Sequence, residues 1–380
     1  VSRRLVQEFG REPTAEEIGQ EMEMSADRVR EILSNLQRLC DQARSFQVAN
    51  VVATNAEHAD KFDWTCLPPE VTVMRGQEGI EKLVAIAEID LVVAAIVGAA
   101  GLAGTWAALD AGKDVALANK ETLVMAGPLV MALAKQRNAK ILPVDSEHSA
   151  VFQALRGGQP QEVKRIILTA SGGPFLRKTS QEIEDVTVEQ ALAHPTWDMG
   201  PKITVDSATM MNKALEVIEA RWLFDLPPEK IEVVVHPQSI VHSMVEYKDG
   251  SVIAQMSPPD MKLPIQYALT FPDRLEGPAT KLDFTQAIDL RFEPVDRARF
   301  PALSLGYEVA RAGGTSGAVL NAANEAAVDG FLDGQIGFND IVPACRAVLD
   351  NHDFDETPTL QRLVELDAWA RREITRWVCA

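Results

Sequence analysis

Apolar positions in the first 34 residues recur at helical spacing and are interrupted by turns. Leu5, Val6 and Phe9 form one face that stops at Gly10. Thr14 then opens a second helix after Pro13, with Glu17 three residues on in the spacing of a capping box. Ser25 starts a third helix carrying Val29, Ile32 and Leu33. From about Leu36 the pattern changes to alternating helix and strand. LQRLCDQARSF reads as helix, NVVAT and VTVM as short apolar strands, and DLVVAAIVG as a strand running into a glycine turn. TWAALDAGK is helical, DVALAN a strand, KETLVMAGPLVMALAKQR a helix, and KILPVDSEH a strand ending in carboxylates. This βαβα rhythm predicts a parallel, doubly wound sheet, in which ligands gather at the carboxyl ends of the strands. Gly98 to Gly101, Asn119 to Glu121 and Asp145 to His148 fall there.

After about residue 150 the rhythm is mixed. RIILTASGG, KIEVVVHPQS, VHSMVEY and SVIAQMS read as strands, the last two separated by the turn KDG, which predicts an α+β domain with an open sheet. Residues 271–296 are proline-rich and aperiodic, a linker, and the chain from Pro301 onward has the periodicity of four helices. No repeat or low-complexity tract is present.

At 380 residues the chain is too long for one ordinary domain, and 46% hydrophobic with 24% charged residues is a globular composition. A net charge of −18 disfavours nucleic acid or an anionic membrane as partner of the whole chain. Cys40, Cys66, Cys345 and Cys379 show no C-x-x-C spacing, so the expectation is reduced thiols in a cytoplasmic protein. The start, VSRRLVQEFG, is amphipathic rather than a signal-peptide core, and LVVAAIVGAAGLAG is too short and glycine-broken to span a bilayer.

Three clusters carry chemistry. In VDSEHSA, Asp145 and Glu147 sit two apart, so an extended chain presents both carboxylates to one point. With Glu216 they offer three hard oxygen ligands suited to Mg²⁺ or Mn²⁺; a solvated pair of acids at a strand end is the plainer alternative. In LTASGGPF, Ser171 lies in a glycine turn able to present amides to an anion. Ser207 opens SATMMNK at an expected helix N-terminus, with Asn212 and Lys213 in the next turn and Glu216 one turn beyond. An ordinary N-cap and a solvated lysine would leave the same trace. In HPTWDMG, Trp197 and Met199 are costly to expose, which fits either a lid over a ligand or burial against the core. His194 beside them touches phosphate or solvent, while His236 and His242 lack metal spacing and read as structural or as supports behind the site.

Taken together, LANKETLVMAGP, PVDSEHSA, LTASGGPF, HPTWDMGPKITVDSATMMNKALEVIEARWLF and VLNAANEAAV closely resemble the 1-deoxy-D-xylulose 5-phosphate reductoisomerase family, in order over about residues 36–380. The resemblance implies rearrangement of 1-deoxy-D-xylulose 5-phosphate and reduction with NADPH to 2-C-methyl-D-erythritol 4-phosphate, a step of non-mevalonate isoprenoid synthesis. It implies Asp145, Glu147 and Glu216 as ligands of Mg²⁺ or Mn²⁺, and Ser146, Ser171, His194, Ser207, Asn212 and Lys213 as holders of substrate and phosphate. Trp197 and Met199 would belong to the closing loop, and Lys120 would lie near the reaction centre and the nicotinamide. Gly98, Ala99, Asn119, Lys120 and Glu121 would line the nicotinamide end, and a homodimer is implied.

The implied fold is α/β. An incomplete Rossmann-like NADPH-binding domain would span 36–144 and an α+β catalytic domain 145–270, with a linker over 271–296 and a C-terminal helical domain over 297–380. Residues 1–35 are instead similar to the third conserved region of bacterial primary sigma factors. With five Arg against eight acidic residues in 1–34, they are poorly balanced for binding phosphates alone. That segment stands where the family has its first strand and a G-x-T-G-x-x-G turn seating the cofactor pyrophosphate. Residues 1–60 contain only Gly10 and Gly19, so no such turn is present in them. The expectation is a site competent for metal and substrate joined to a crippled NADPH site; the alternatives are an inactive fused or truncated chain that binds substrate and metal only, or a transcription-associated protein acting through residues 1–34.

Overall fold

A computed structural model describes residues 14–22, 25–179 and 181–379, which fall into two compact units, one up to Ile89 and one from Asp90 onward. The expected first helix around Leu5, Val6 and Phe9 lies outside the described residues.

In the first unit, α1 (Ala15–Met22) starts at the capping box read from the sequence. The Thr14 N–H donates to Glu17 Oε2 at 2.8 Å and the Glu17 N–H to Thr14 Oγ1 at 3.3 Å. The two helical stretches expected on either side of Leu36 are one helix, α2 (Ala26–Phe46), because no glycine or proline separates them. A parallel pair follows, β1 (Asn50–Ala53) and β2 (Thr72–Arg75), with α3 (Ala56–Lys61) between them and α4 (Gly76–Val84) after. Cys40, Ala43, Val51 and Leu67 form their core. The expectation of four reduced thiols is corrected here. Cys40 on α2 and Cys66 form a disulfide, their Cα atoms 5.9 Å apart, while Cys345 and Cys379 are free. The sequence offered no cue because the two cysteines are 26 residues apart and meet only through packing of the helix on the loop before β2.

The second unit begins with three parallel strands in the order β3 (Leu91–Ala94), β4 (Asp114–Leu117) and β5 (Ile141–Pro143). Helix α5 (Gly101–Asp110) and helix α6 (Glu121–Arg137) make the crossovers. Helix α6 bends at Ala126, two residues before Pro128, and ends at Asn138 in the left-handed conformation. Strand β3 is an edge, hydrogen-bonded only to β4 among the described residues. On and just beyond it Val93, Ile96 and Val97 are 48%, 43% and 71% exposed, a high figure for residues of a parallel sheet.

Helix α7 (Ser146–Ala154) leads into a five-stranded sheet in the order β10-β7-β6-β8-β9. Here β6 is Val163–Ala170, β7 Ile231–Val235, β8 Val241–Tyr247, β9 Val252–Met256 and β10 Glu293–Pro294. Only β6 and β7 run parallel. Part of the expected linker is therefore in the sheet, since Glu293 and Pro294 pair with Val235 and Val234. Between β6 and β7 stand α8 (Val188–Leu192), α9 (Pro201–Thr209) and α10 (Met211–Leu223). After α11 (Lys262–Thr270) come the four expected tail helices, α12 (Pro301–Ala312), α13 (Ser316–Leu332), α14 (Ile341–Asn351) and α15 (Leu360–Val378). Helix α13 is buried almost all round, and one apolar core runs from the sheet through α10 to these helices.

Candidate active site

The site is built where β5, β6 and the α9–α10 junction meet. Strand β5 stops at Pro143, and the chain turns so that Asp145 caps α7, its Oδ1 accepting the Glu147 N–H at 3.1 Å. The expected extended geometry of VDSEH is thus corrected: a helix start, not strand alternation, aims Asp145 and Glu147 the same way. Ser207 is also placed differently from the expectation. It sits in the last turn of α9, and Met210, at φ 64°, separates that helix from α10. Helix α10 behaves as its spacing predicts. Asn212 Nδ2 donates to Glu216 Oε1 at 2.6 Å, and Lys213 Nζ pairs with Glu216 Oε2 in the adjacent turn.

Lys120, Asp145, Ser146, Glu147, Asn212, Lys213 and Glu216 line one cavity of about 250 Å³ with Ser171, His194, Trp197, Met199 and Ser207. Lys120 Nζ donates to Asp145 Oδ2 at 2.7 Å, Asn212 Oδ1 at 2.9 Å and Glu216 Oε1 at 3.2 Å. Lys213 Nζ donates to Glu147 Oε1 at 2.8 Å. Burial alone would discharge both ammonium groups. The facing carboxylates outweigh it, Asp145 and Glu216 for Lys120 and Glu147 and Glu216 for Lys213, and hold both lysines charged. Asp145 is held well below the usual carboxylate range because Lys120 and His148 overcome its burial. Burial and the neighbouring Glu147 push Glu216 upward.

Two residues to which the sequence assigned no role stand behind this cluster. His148 is fully buried, with Nδ1 3.2 Å from Asp145 Oδ1 and Nε2 3.1 Å from the Glu216 carbonyl oxygen. Burial disfavours its charge, but Glu219 and the bond to Asp145 outweigh that and raise it to about 9. Glu219 Oε2 faces His148 Nδ1 at 3.5 Å and accepts no hydrogen bond among the described residues; burial raises this carboxyl to about 7. His148 meets Asp145 three residues away, but it meets Glu216 and Glu219 only across some 70 residues, a pairing no local pattern reveals.

The Ser171 side of the cavity is organised by a turn and a loop. Gly172 and Gly173 both have positive φ, and the Gly173 N–H donates to Ser171 Oγ at 3.2 Å. A Cβ on Gly173 would come within 2.6 Å of the Ser207 carbonyl oxygen, so only glycine lets this turn approach α9 so closely. His194 Nδ1 accepts the N–H groups of Thr196 at 3.2 Å and Trp197 at 2.9 Å. That leaves Nε2–H to donate to Ser171 Oγ at 3.0 Å, and burial lowers the imidazole further into its neutral form. Trp197 and Met199 in the loop before α9 line the cavity. His242 lines it too, its Nε2 2.9 Å from Ser257 Oγ, whereas His236 is a buried strut between Arg291 O and two backbone amides.

Gly98, Ala99, Asn119 and Glu121 do not line this cavity; they form a second locus at the end of β3. Asn119 Nδ2 donates to Ile96 O at 2.5 Å, Gly98 O at 3.0 Å and Glu121 Oε2 at 3.1 Å. Gly101 opens α5, and a Cβ there would meet Ile96 O at 2.5 Å. Glycine at this position therefore lets the start of α5 pack directly against the backbone at the end of β3.

The donor chemistry fits a hard divalent cation. Asp145, His148 and Glu216 offer atoms within 4.8 Å of one another, and carboxylate oxygens of Asp145 and Glu216 already converge on one ammonium nitrogen. Both nitrogens of His148 face acceptors, so it supports the acids rather than joining them as a ligand.

A parallel three-stranded α/β layer followed by an α+β sheet, with paired lysines and carboxylates in one cavity, marks an enzyme class that handles anionic substrates with a metal. The comparisons narrow this. Residues 28–127 match 1-deoxy-D-xylulose 5-phosphate reductoisomerase, and residues 141–224 and 256–373 match the C-terminal domains of that enzyme. Residues 1–39 match sigma-70 region 3. The chain is 56% identical over 331 residues to the 1-deoxy-D-xylulose 5-phosphate reductoisomerase of Rhodopirellula baltica, covering 78% of this chain and 73% of that one. With the enzyme of Pelodictyon phaeoclathratiforme it is 52% identical over 340 residues, covering 90% and 89%. A crystal structure of DOX-P reductoisomerase in complex with NADPH, fosmidomycin and magnesium superposes with a TM-score of 0.85 at 41% identity, covering 91% of this chain and 90% of that one. The enzyme from Zymomonas mobilis in complex with NADPH gives 0.84 at 43% identity, covering 90% and 89%. The chain belongs to the 1-deoxy-D-xylulose 5-phosphate reductoisomerase family.

Proposed function

We propose that the chain rearranges and reduces 1-deoxy-D-xylulose 5-phosphate to 2-C-methyl-D-erythritol 4-phosphate, using NADPH and Mg²⁺ or Mn²⁺. The convergence of Asp145, Glu147, Glu216, Lys120 and Lys213 on one cavity beside the Ser171–His194 pair carries this reading. In it, Asp145, Glu147 and Glu216 hold the metal, with Lys120 and Lys213 swinging from these acids toward substrate oxygens. Ser171, Ser207, Asn212, Lys213 and His194 bind the phosphate, and Ser146 the sugar chain. When bound, the metal polarises the substrate carbonyl and NADPH supplies hydride. Trp197 and Met199 cover the cavity and exclude water. His194 couples that cover to the phosphate, because the ring that reaches Ser171 also holds the Thr196 and Trp197 amides. Gly98, Ala99, Asn119, Lys120 and Glu121 serve the nicotinamide end.

The pyrophosphate end is the weak part. Residues 1–60 supply no glycine loop, and β3 has an exposed edge where a further parallel strand would pair. A charge-assisted hydrogen bond is worth about 1.5–3 kcal/mol, so losing two of them with that loop weakens NADPH binding about 100-fold or more. This observation also favours a second reading, a chain that binds substrate and metal without turnover. Among the described residues no helix is long and apolar enough to cross a membrane. We place the chain in the cytoplasm as a homodimer, with Val252 and Ile253 exposed on edge strand β9 in support of the pairing. Oxidation of NADPH by the folded chain, given substrate and Mn²⁺ and titrated with NADPH, separates the readings: saturation only at high NADPH supports the first, and metal-dependent substrate binding without oxidation supports the second.

A further inference from the structure

Lys202 is in an unfavourable place for a lysine. It lies in the first turn of α9, where the helix dipole repels a cation, and its side chain is 18% exposed. Nothing about the 194–200 loop or the cavity requires a charge there, and Lys202 does not line that cavity. Its ammonium is held by two carboxylates. Asp206 Oδ2, one turn on, is at 2.8 Å, and Glu121 Oε1, at the start of α6, is at 3.2 Å. Asp206 is itself buried and receives the Asn324 Nδ2–H at 2.8 Å from α13. The other oxygen of Glu121 accepts the Asn119 Nδ2–H, and that amide also clasps Ile96 O and Gly98 O in the turn after β3. Glu325 of α13 closes the far side of the turn, since a Cβ on Gly98 would meet its Oε1 at 2.9 Å.

One continuous chain of hydrogen bonds therefore runs from the glycine turn through Asn119, Glu121 and Lys202 to the helix that begins where the lid ends. Every member is buried or half-buried, so the links are shielded from water and cannot be replaced freely by solvent. A buried ion pair adds little net stability but fixes geometry, because removing one partner leaves the other charge unpaired. The lid residues Trp197 and Met199 are only five and three positions before Lys202.

We propose that Lys202 is a positioning residue that couples occupation of the glycine turn by the dinucleotide to closure of the lid over the substrate. This rests on the functional reading above, which places the nicotinamide at the turn and the substrate under the lid. A ligand that reorients the Gly98 peptide changes the acceptor geometry at Asn119, and Glu121 passes the change to the first turn of α9. The coupling is reciprocal, so a closed lid also favours the dinucleotide.

The test is calorimetric binding of fosmidomycin in saturating Mg²⁺, with and without NADPH, on the full chain. In the unsubstituted protein NADPH tightens fosmidomycin by about 5-fold or more, the lower end of measured couplings. In Lys202→Met, and in the milder Lys202→Gln should the first not fold, each ligand alone binds within about 3-fold of the unsubstituted protein, while the tightening falls below about 2-fold. Lys202→Arg, able to bridge the same two carboxylates, restores it. A purely structural lysine would weaken single-ligand binding and leave the ratio alone. Retention of the ratio in folded Lys202→Gln overturns the inference, as does an unsubstituted chain whose fosmidomycin affinity ignores NADPH. An unsubstituted chain that binds no fosmidomycin with Mg²⁺ instead overturns the reading of the site itself.

Discussion

Replacing Gly173 by alanine tests whether the phosphate turn depends on close backbone approach. Gly173 has φ +66°, and an added Cβ would stand 2.6 Å from the Ser207 carbonyl oxygen and 3.1 Å from its carbon. Two costs combine. Left-handed backbone costs an alanine roughly 1–2 kcal/mol. A contact more than half an ångström too short against a backbone atom forces a shift costing a further ~1–3 kcal/mol, since neither α9 nor the turn has a flexible side chain to yield. Gly250→Ala is the internal control: at φ +89° it carries backbone strain, but nothing lies within 4 Å of its Cβ. Thermal unfolding of the two variants therefore separates the terms. With about 2–4 °C per kcal/mol for a large domain, Gly250→Ala lowers the melting point by roughly 2–8 °C and Gly173→Ala by a further 2–12 °C. Because the turn and Ser207 must part, Gly173→Ala on the proposed reading also weakens metal-dependent binding of 1-deoxy-D-xylulose 5-phosphate, whereas Gly250→Ala leaves it unchanged. Equal melting points for the two variants, or undiminished substrate affinity in Gly173→Ala, would refute the role given to the close approach.

Other consequences can be read from the same residues. Lys213→Met leaves Glu216 and Glu147 facing each other with one cation fewer, and we expect a loss of about 3–5 kcal/mol in chemical denaturation, partly restored by Mn²⁺. Mn²⁺ at 100 times its Kd stabilises the unsubstituted chain by about 2.7 kcal/mol in thermal melts, and Asp145→Asn abolishes that gain; a gain that survives the substitution would exclude Asp145 as a ligand. His194→Ala removes the acceptor of two lid amides worth ~1 kcal/mol each, so substrate KM rises by about 30-fold with a smaller effect on kcat. Tyr307 is buried, its hydroxyl donating to Ile231 O at 2.8 Å, and burial raises it to about 12 against the opposing charge of Arg297. The folded protein keeps this proton above the pH at which the unfolded chain releases it. Stability is therefore full below about pH 10 and falls as pH rises toward 12, by up to ~3 kcal/mol. Tyr307→Phe should flatten that fall in pH-dependent denaturation, and an unchanged slope would argue against it.

Periodicity reveals the strands and most helices because each buries one face or one stripe, as α10 shows with Asn212, Lys213 and Glu216 at helical spacing. It also locates the residues that meet in the cavity, although their chemistry became specific only through the resemblance of whole motifs. What stayed hidden was tertiary. Asp145 and Glu147 converge through an N-cap, a feature of how β5 ends rather than of residue order. Ser207 closes a helix instead of opening one because Met210 adopts positive φ in the middle of an apparently continuous helical pattern. His148, Glu219 and Lys202 gain their roles from partners between 3 and some 80 residues away, and the distant ones leave no mark in the local sequence. The Cys40–Cys66 pairing is hidden for the same reason.

The most direct test of the central claim is oxidation of NADPH by the purified, folded chain with 1-deoxy-D-xylulose 5-phosphate and Mn²⁺, followed as NADPH is raised. A complete metal and substrate site joined to a weakened dinucleotide end predicts oxidation that requires both metal and substrate and has an NADPH KM above the roughly 1 mM that bounds ordinary enzymes. Oxidation that ignores the metal would contradict the assignment of Asp145, Glu147 and Glu216. Saturation at micromolar NADPH would contradict the weakness assigned to the pyrophosphate end.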